Sequence, residues 1–433
     1  MRFGLASCEI APPYPTPMHG YGARQDTFDD VNDPLSFTAI VLEEQGRRAL
    51  LGAADLCTFP NDGTLPALLD GLAEIVQCPR DNIMLNASHT HGGPQLPSRS
   101  LYYRKMRDTS TPKRYAQWLY ERVTATVREA AGRMVEGTLW YGEGKTRTPM
   151  NRRLERNGRV DNAPNPKGTV DDRMQLLVLR NAADEMVSVG MRMSCHPVAT
   201  GAQHRITADY PGAWRAAFSS AFGPKVTPFF LQGAGADARP RHVADGDRWR
   251  QMKHAELQTI GHDLLGETLA ILTSGRLQQI KPLVLQGKVA AVKTPCERRY
   301  TQREQFEALL KTGGYYQKMF AEEGLARLAA GPEIPDHVEY HVQTLWLSPD
   351  LALIGLDVEP LHGLGFKVEA AVSPKKAMLL GYNNGCISYL PDTVELRRGG
   401  YETESYIFNP WTGPLLPGVE DLVADAVVRP IVR

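Results

Sequence analysis

Residues 174–197, MQLLVLRNAADEMVSVGMRMSCHP, contain two apolar stretches separated by the turn-forming segment NAAD. Apolar and β-branched stretches of this length, joined by turn residues, indicate two strands of a hairpin. The second strand ends directly at His196, and Pro197 follows it. Elsewhere strand-like stretches alternate with helical ones, so the sequence predicts an α/β fold in which mixed β-sheets are flanked by helices.

Strands and helices can be assigned along most of the chain. The predicted strands lie near residues 2–9, 35–44, 48–55, 82–88, 174–180, 186–195, 226–232, 283–293, 338–347, 351–356 and 377–382. The predicted helices span residues 63–77, 112–134, 211–222, 248–274 and 303–328. Residues 140–172 and 391–418 are rich in Gly, Pro, Asn and Arg, and we expect them to be loops that border a site. We expect a single domain over residues 1–433.

The composition excludes several classes of protein. The chain carries 49 basic and 49 acidic side chains, so no overall charge attracts it to nucleic acid or to an anionic membrane. Its six cysteines form no CxxC pair, which favours reduced thiols. The sequence has neither the apolar stretch of an export signal nor a run of about eighteen apolar residues, so we expect a cytoplasmic protein without a membrane span. The expected partner is a small molecule, and the oligomeric state is not indicated.

Histidines end two of the predicted strands. His89 and His91 lie in SHTHGGP, at the carboxyl end of strand 82–88. Residues i and i+2 of a strand face the same side, roughly 7 Å apart. His196 ends strand 186–195. Catalytic zinc prefers three protein ligands, commonly neutral imidazole and carboxylate, so these histidines are candidate ligands. For the pair at 89 and 91 alone, two hydrogen-bonded loop histidines are the alternative.

A carboxylate ligand is predicted in residues 351–365, LALIGLDVEPLHGLG. Asp357 and Glu359 both follow a buried strand and precede a glycine-rich turn. Each acid could bind a metal at the strand end, or it could cap the segment that follows.

The segment QGAGADA, residues 232–238, has the outline of the dinucleotide-binding motif G-x-G-x-x-A. That motif requires a helix directly after the turn, and Arg239 and Pro240 follow here instead. We therefore expect these glycines to permit a close approach of the backbone rather than to bind a nucleotide.

Taken together, these segments resemble the neutral, non-lysosomal ceramidase family, whose members are zinc amidases that cleave the amide bond of N-acyl sphingoid bases. The similarity runs, in the expected order, through IAPPYPTPMHGYGAR, AADL, SHTHGGP, MNRR, CHP, ITADYPG, VEPLHGLG and SYLPDTVELRRGGYE. SHTHGGP and ITADYPG are the more specific of these motifs. The resemblance implies a neutral-ceramidase-like catalytic domain, a bound Zn²⁺ ion and amide hydrolysis.

The resemblance also implies roles for individual residues. The implied zinc ligands are His89, His196, Glu359 and Tyr389. The implied catalytic residues are His91, Arg152 and Tyr401. His91 is suited to transfer protons, because the ordinary pKa of histidine lies near the working pH. Val358 departs from the family pattern, which has a glycine before the ligand glutamate.

A second departure concerns the catalytic serine of the family. Ceramidases have a Gly-Asp-x-Ser-Pro stretch, and the corresponding residues 236–240 are ADARP, with Arg239 at the position of the serine. Water activated by zinc needs no serine nucleophile, so hydrolysis survives this change in principle. We add Arg239 to the catalytic residues and expect its guanidinium to favour a substrate with a carboxylate or another anion near the scissile bond.

The predicted function is therefore that of a zinc-dependent hydrolase that cleaves the C–N bond of an N-acyl or small amide. Two alternatives remain open. One is a ligand-binding relative of the same fold without catalytic activity, and the other is a hydrolase that cleaves esters or lactones at the same zinc centre. Secreted ceramidases continue into an immunoglobulin-like domain, and we expect none within residues 1–433.

Overall fold

The computed structural model describes residues 1–22, 24–331, 333–373 and 375–428. Its strands are β1 (Arg2–Glu9), β2 (Asp30–Val31), β3 (Ser36–Glu44), β4 (Arg47–Ala54), β5 (Ile83–Ala87), β6 (Val135–Lys145), β7 (Pro149–Arg156), β8 (Arg159–Asn165), β9 (Arg173–Asn181), β10 (Met186–Met193), β11 (Arg205–Ile206), β12 (Thr227–Gln232), β13 (Ala238–Pro240), β14 (Ala244–Asp245), β15 (Arg248–Trp249), β16 (Gln278–Gln279), β17 (Gln286–Pro295), β18 (His337–Ser348), β19 (Leu351–Leu356), β20 (Glu359–Pro360), β21 (Lys376–Leu380) and β22 (Tyr389–Leu390). Its α-helices are α1 (Leu65–Val76), α2 (Leu101–Arg104), α3 (Ser110–Gly132), α4 (Tyr210–Phe222), α5 (Leu257–Leu272), α6 (Arg303–Thr312), α7 (Tyr315–Ala330), α8 (His362–Ala370), α9 (Thr393–Arg398) and α10 (Val419–Val428).

Two sheets form the centre of the fold. The larger has nine strands, in the order β12-β10-β9-β6-β1-β3-β4-β5 with β16 beside β6, and the smaller has the order β17-β18-β19-β21. Both sheets are mixed, since β3 and β4 are antiparallel while β10 and β12, and β19 and β21, are parallel. The sheets pack face to face, and Ile40 and Leu42 of β3 share an apolar cluster with Leu345 and Leu353 of the smaller sheet.

Helices cover the outer face of each sheet. The alternation along β3 places Phe37 and Val41 against α1 and α3, on the face opposite Ile40. Helices α4 and α5 pack over β9, β10 and β12, and helices α7, α8 and α10 cover the smaller sheet. The protein therefore has four layers, with two sheets between two sets of helices. The predicted α/β fold, with mixed β-sheets flanked by helices, is confirmed.

Four of the predicted segments differ from the structure, and one of them, residues 391–418, contains helix α9 and two 3₁₀ turns instead of loops alone. Residues 140–172 are not one loop, because they contain most of β6 and the hairpin of β7 and β8, whose polar side chains hide the strand periodicity. The helix predicted over 248–274 begins only at Leu257, after β15 and a 3₁₀ turn. The helix predicted over 303–328 is two helices, since Gly313 and Gly314 adopt extended conformations between α6 and α7.

The length and apolar character of a helix decide whether it can cross a membrane, and both can be read for the helices of the described residues. None of them combines the length and the apolar character that crossing a bilayer requires. All six cysteines lie in the described part of the chain and are free thiols.

Candidate metal centre

The candidate metal centre lies where strands of both sheets end. Strands β5, β10 and β12 of the larger sheet and strands β19 and β21 of the smaller one point their carboxyl ends toward it. The side chain of Asn86 joins these ends, because it donates to Gly381 O and accepts from Gln232 N, each at 2.7 Å. The amide of Ala87 donates to Tyr382 O at 3.1 Å. These bonds fix the relative positions of the loops that follow the strands.

His89 follows β5 in a left-handed backbone conformation, with φ of 64°. A non-glycine residue adopts this conformation only where its surroundings impose it, and such strain is frequent at functional sites. The amide of His89 donates to Leu56 O at 2.8 Å, and Nδ1 lies 2.7 Å from Cys57 O, to which it donates. Nε2 lies 3.2 Å from Glu359 Oε2. Burial opposes protonation, but Cys57 and Glu359 raise the pKa of His89 to about 10, so a metal ion bound here would replace the proton on Nε2.

His196 follows β10 and is held in the same way. Its amide donates to Ala238 O at 3.0 Å, and its Nδ1 lies 2.7 Å from Gly235 O. Its Nε2 is buried without a hydrogen-bond partner and lies 3.4 Å from Glu359 Oε2. Burial and the charge of Arg152 lower the pKa of His196 to about 3, so its imidazole is neutral, as metal binding requires.

Glu359 completes the group. Its amide donates to Ser388 O at 2.8 Å, and the hydroxyl of Tyr382 donates to Oε2 at 3.4 Å. The ring of Tyr382 also stacks on His89, with centroids 4.0 Å apart. Burial opposes ionisation, but His89 and His196 hold the pKa of Glu359 well below its ordinary value. Glu359 is therefore a carboxylate.

The donor set fits a zinc ion. The ligand atoms of His89, His196 and Glu359 lie within 4.8 Å of one another, and two imidazoles with one carboxylate are typical of catalytic zinc. Cys57, His89 and His91 form a second group of this kind. Cys57 Sγ, however, lies 3.6 Å from Nδ1 of His89, the nitrogen that donates to Cys57 O. The group with His196 and Glu359 therefore fits better.

His91 lies beside these residues. Its Nε2 is 3.2 Å from Nε2 of His89, and its Nδ1 is buried without a hydrogen-bond partner. Burial and the neighbouring histidines hold the pKa of His91 well below its ordinary value, so the imidazole is neutral and the expected pKa near the working pH is not found. Gly20 covers it closely, because a Cβ at this position would lie 2.4 Å from the ring. Arg24 fixes the loop by donating to His91 O at 2.7 Å.

Arg152 extends from β7 toward β22. Its Nη2 donates to the hydroxyl of Tyr389 at 3.3 Å, and its Nε donates to Glu402 at 2.9 Å. Glu402 also pairs with Arg153, which donates to Glu395 at 2.6 Å. All four charged side chains are buried or nearly so. This network fixes the direction of the Arg152 guanidinium.

Tyr401 contacts Tyr389, and Arg239 lies in the strand that pairs with β7. The ring of Tyr401 meets that of Tyr389 with centroids 5.5 Å apart, and Tyr401 is 48% exposed. Arg239 lies in β13 opposite Met150 of β7, and its guanidinium carbon is 5.4 Å from the ring centroid of Trp249.

Comparison with solved structures identifies the fold. A crystal structure of neutral ceramidase from Pseudomonas aeruginosa matches with a TM-score of 0.73 and 19% identity, over 99% of this chain and 74% of that one. A structure of a ceramidase complexed with C2 matches with the same TM-score, 20% identity and the same coverage. The chain has the neutral ceramidase fold. No family model and no curated protein sequence matches it.

Within this neutral ceramidase fold, the residues predicted as ligands lie together. His89, His196 and Glu359 converge, and Tyr389 lies opposite Glu359. Asp357, the other acid considered, lies outside the group, because its carboxylate accepts from the backbone and ring nitrogens of His341, each at 2.8 Å. The roles given to these residues, and to His91, Arg152, Tyr401 and Arg239, stay predictions.

The glycine-rich segment has the structural role expected of it. A Cβ at Gly235 would lie 2.4 Å from the amide nitrogen of Cys195, and one at Gly233 would lie 2.5 Å from the guanidinium of Arg192. A short strand, β13, follows the turn instead of a helix. These glycines therefore allow the backbone of residues 233–235 to pack closely against the end of β10.

Three further residues of the centre are not among those predicted from the sequence. Tyr382 stacks on His89, Glu402 fixes Arg152, and Asn86 joins the ends of the strands. Asn86 carried a signal, since an amide in an otherwise apolar strand requires buried hydrogen-bond partners. Tyr382 and Glu402 carried no such signal in the sequence, because the residues they contact belong to segments that lie far away along the chain.

Proposed function

We propose that this chain is a zinc-dependent hydrolase that cleaves the C–N bond of an N-acyl or small amide. The observation that carries the proposal is the convergence of two imidazole Nε2 atoms on one carboxylate, with both Nδ1 atoms held by backbone carbonyls. The shared fold with ceramidases and the sequence resemblance to an amidase family support the type of bond. The residues that would hold the ion are His89, His196, Glu359 and Tyr389.

The surrounding residues can perform the proton transfers of amide hydrolysis. Held by these residues, a zinc ion would supply a water molecule of lowered pKa and would polarise a carbonyl group. His91, a neutral imidazole whose Nε2 is 3.2 Å from that of His89, takes a proton from the attacking water and passes it to the departing nitrogen. The carbonyls of Cys57 and Gly235 keep both ligand imidazoles in the tautomer that leaves Nε2 free.

Arg152 and Tyr401 stabilise the negative charge that develops on the carbonyl oxygen. Arg152 donates to the hydroxyl of Tyr389 on the side of Glu359, and Glu402 fixes its direction. A hydrogen-bond donor that already points at the developing negative charge needs no rearrangement during the reaction. Removal of one such donor typically lowers the catalytic rate roughly a hundredfold to a thousandfold.

The test is an assay of zinc-loaded protein on N-acyl amino acids, acyl amines, small lactams and ceramides, with esters and lactones in parallel. We expect hydrolysis of at least one amide class, lost in His89→Ala and Glu359→Gln. His337→Ala is the matched control, because this half-exposed imidazole pairs only with neighbouring Asp336 among the described residues, and it should retain activity. Absence of zinc-dependent amide turnover by the wild type would contradict the proposal. Turnover of esters or lactones alone would assign the centre to that reaction instead.

A further inference from the structure

Arg239 has no carboxylate of the described residues within ion-pair distance, and Glu402 acts on its charge only from further away. Its guanidinium makes no ion pair and no side-chain hydrogen bond within the described part of the chain, and its Nε is buried without a partner. Two arginines that are fully buried do form ion pairs. Arg152 pairs with Glu402 at 2.9 Å, and Arg192 pairs with Asp171 at 2.6 Å. Arg239 is partly buried, and a partly desolvated cation without an ion-pair partner binds an anion from outside the chain favourably.

Arg239 lies next to the catalytic side chains. It is opposite Met150 in the antiparallel pair of β13 and β7, and the amide of Arg152 donates to Asp237 O, two residues before Arg239, at 2.9 Å. Burial and the charge of Arg152 lower the pKa of Arg239, and Tyr21 is among the groups that oppose this effect. The ring of Tyr21 in turn meets the ring of His91, with centroids 4.9 Å apart. Tyr21, which contacts His91, therefore also acts electrostatically on Arg239.

The acids of the centre are already paired. Glu402 binds both Arg152 and Arg153, and Glu359 lies between His89 and His196. Glu402 offsets the charge of Arg239 without forming an ion pair with it, so a substrate anion in direct contact would be the closer counter-charge. Trp249 lies against the guanidinium at 5.4 Å, a cation–π contact that restricts its orientation while leaving its N–H groups free to donate.

We infer that Arg239 binds a carboxylate of the substrate, so that the amide hydrolysed carries a carboxylate close to its scissile bond. N-acyl α-amino acids and monoamides of dicarboxylic acids have this chemistry. The inference rests on the proposed function for the reaction and adds the class of substrate. A guanidinium donates two parallel hydrogen bonds to a carboxylate, whereas a neutral acyl amine leaves the charge of Arg239 unpaired.

The experiment compares each carboxylate substrate with its carboxamide, which has nearly the same shape and no charge. The probes are N-acetyl and N-hexanoyl amino acids, succinic monoamides, and the corresponding carboxamides. We expect wild-type kcat/KM to favour the carboxylate, and Arg239→Met to lower the ratio of the two values on the order of tenfold to a hundredfold. Arg239→Lys, which keeps the charge without the two-pronged geometry, should restore part of the ratio. Arg248→Met is the control, because that side chain is 89% exposed and should not alter the ratio.

The comparison of carboxylates with carboxamides separates the proposed amide hydrolysis from the proposed role of Arg239. Equal turnover of carboxylates and carboxamides, unchanged in Arg239→Met, would overturn the inference and leave the zinc amidase in place. If the wild type hydrolyses no probe, binding of the same pairs to zinc-loaded protein is measured by calorimetry. A carboxylate preference that depends on Arg239 would then support the inference without the hydrolase, and a preference independent of Arg239 would overturn it.

Discussion

Glu359 and Tyr389 lie opposite each other in the parallel pair of β20 and β22. Two segments distant in sequence thus meet at one register position beside His89 and His196. The hydroxyl of Tyr389 also accepts a hydrogen bond from Arg152 at 3.3 Å. Tyr389 therefore connects the proposed ligands with the group proposed to stabilise the reacting carbonyl, and its removal should affect both metal binding and rate.

Tyr389→Phe removes this hydroxyl with little change of shape. We expect the dissociation constant for zinc, measured by competition with a chromophoric chelator, to rise about tenfold to a hundredfold. Tyr401→Phe is the matched control, since Tyr401 is proposed to contact the substrate and not the ion. It should lower kcat and leave zinc affinity unchanged. The same zinc affinity in Tyr389→Phe and in the wild type would remove Tyr389 from the ligands.

Glu402→Gln should disorder Arg152 without removing it. The change weakens the pairs of Glu402 with Arg152 and with Arg153, both buried. We expect kcat to fall at least tenfold while zinc content stays the same, because Arg152 acts on the reacting carbonyl. We also expect the free energy of unfolding to fall by about 3–5 kcal/mol, as breaking a buried pair typically does. Glu404→Gln, on an exposed neighbour, should change neither quantity. Wild-type kcat in Glu402→Gln would show that Arg152 needs no such support.

Gly92→Ala tests the contact between the two most specific motifs. A Cβ at Gly92 would lie 2.4 Å from the carbonyl oxygen of Thr207, so SHTHGGP and ITADYPG must separate to admit it. We expect lower stability in urea denaturation and weaker zinc binding, because the loop of His89 moves. Gly71→Ala in α1 is the control. No atom lies within 4 Å of its added Cβ, and the helix should gain up to about 1 kcal/mol. Equal effects of the two substitutions would contradict the packing described.

The pair of Asp237 and His362 predicts a dependence of stability on pH. Burial opposes both charges, but Asp237 raises the pKa of His362, and His362 lowers the pKa of Asp237. The histidine contribution is complete below about pH 6.5 and is lost as pH rises through the raised pKa. The aspartate contribution is present above about pH 3.9 and is lost as pH falls through the lowered pKa.

His362→Gln should therefore be most destabilising between roughly pH 4 and 6.5, where both contributions are present. The measurement is the difference in free energy of unfolding between wild type and variant, from urea titrations at about pH 5.5 and about pH 8.5. The difference should be larger at the lower pH. An equal difference at the two values would show that the pair carries no net electrostatic stabilisation.

The buried strands could be predicted because both of their faces are apolar. In β9, Leu176 and Leu177 face different clusters, so the sequence shows a continuous apolar run that ends at a turn. The hairpin of β7 and β8 could not be predicted in the same way. Its strand β7 buries Arg153, whose charge is matched by Glu395 and Glu402 from much later in the chain. A sequence alone does not show which distant acids neutralise an arginine.

The same limit applies to the candidate centre. His89 and His196 could be proposed from their positions at strand ends, and the resemblance supplied Glu359 and Tyr389. The choice of Glu359 over Asp357 depends on the bridge between β20 and β22, a contact between segments that no local pattern encodes. The free guanidinium of Arg239 is likewise visible only once the acids around it are seen to be paired with other residues.

The most direct test of the central claim is the zinc content of purified protein, determined by mass spectrometry after expression with ample zinc and gel filtration. We predict one zinc ion per chain in the wild type and in His337→Ala, and close to none in His89→Ala, His196→Ala and Glu359→Ala with the fold retained. Wild-type protein without zinc, or full zinc content in the folded His196→Ala and Glu359→Ala variants, would contradict the claim that these side chains hold a single metal ion.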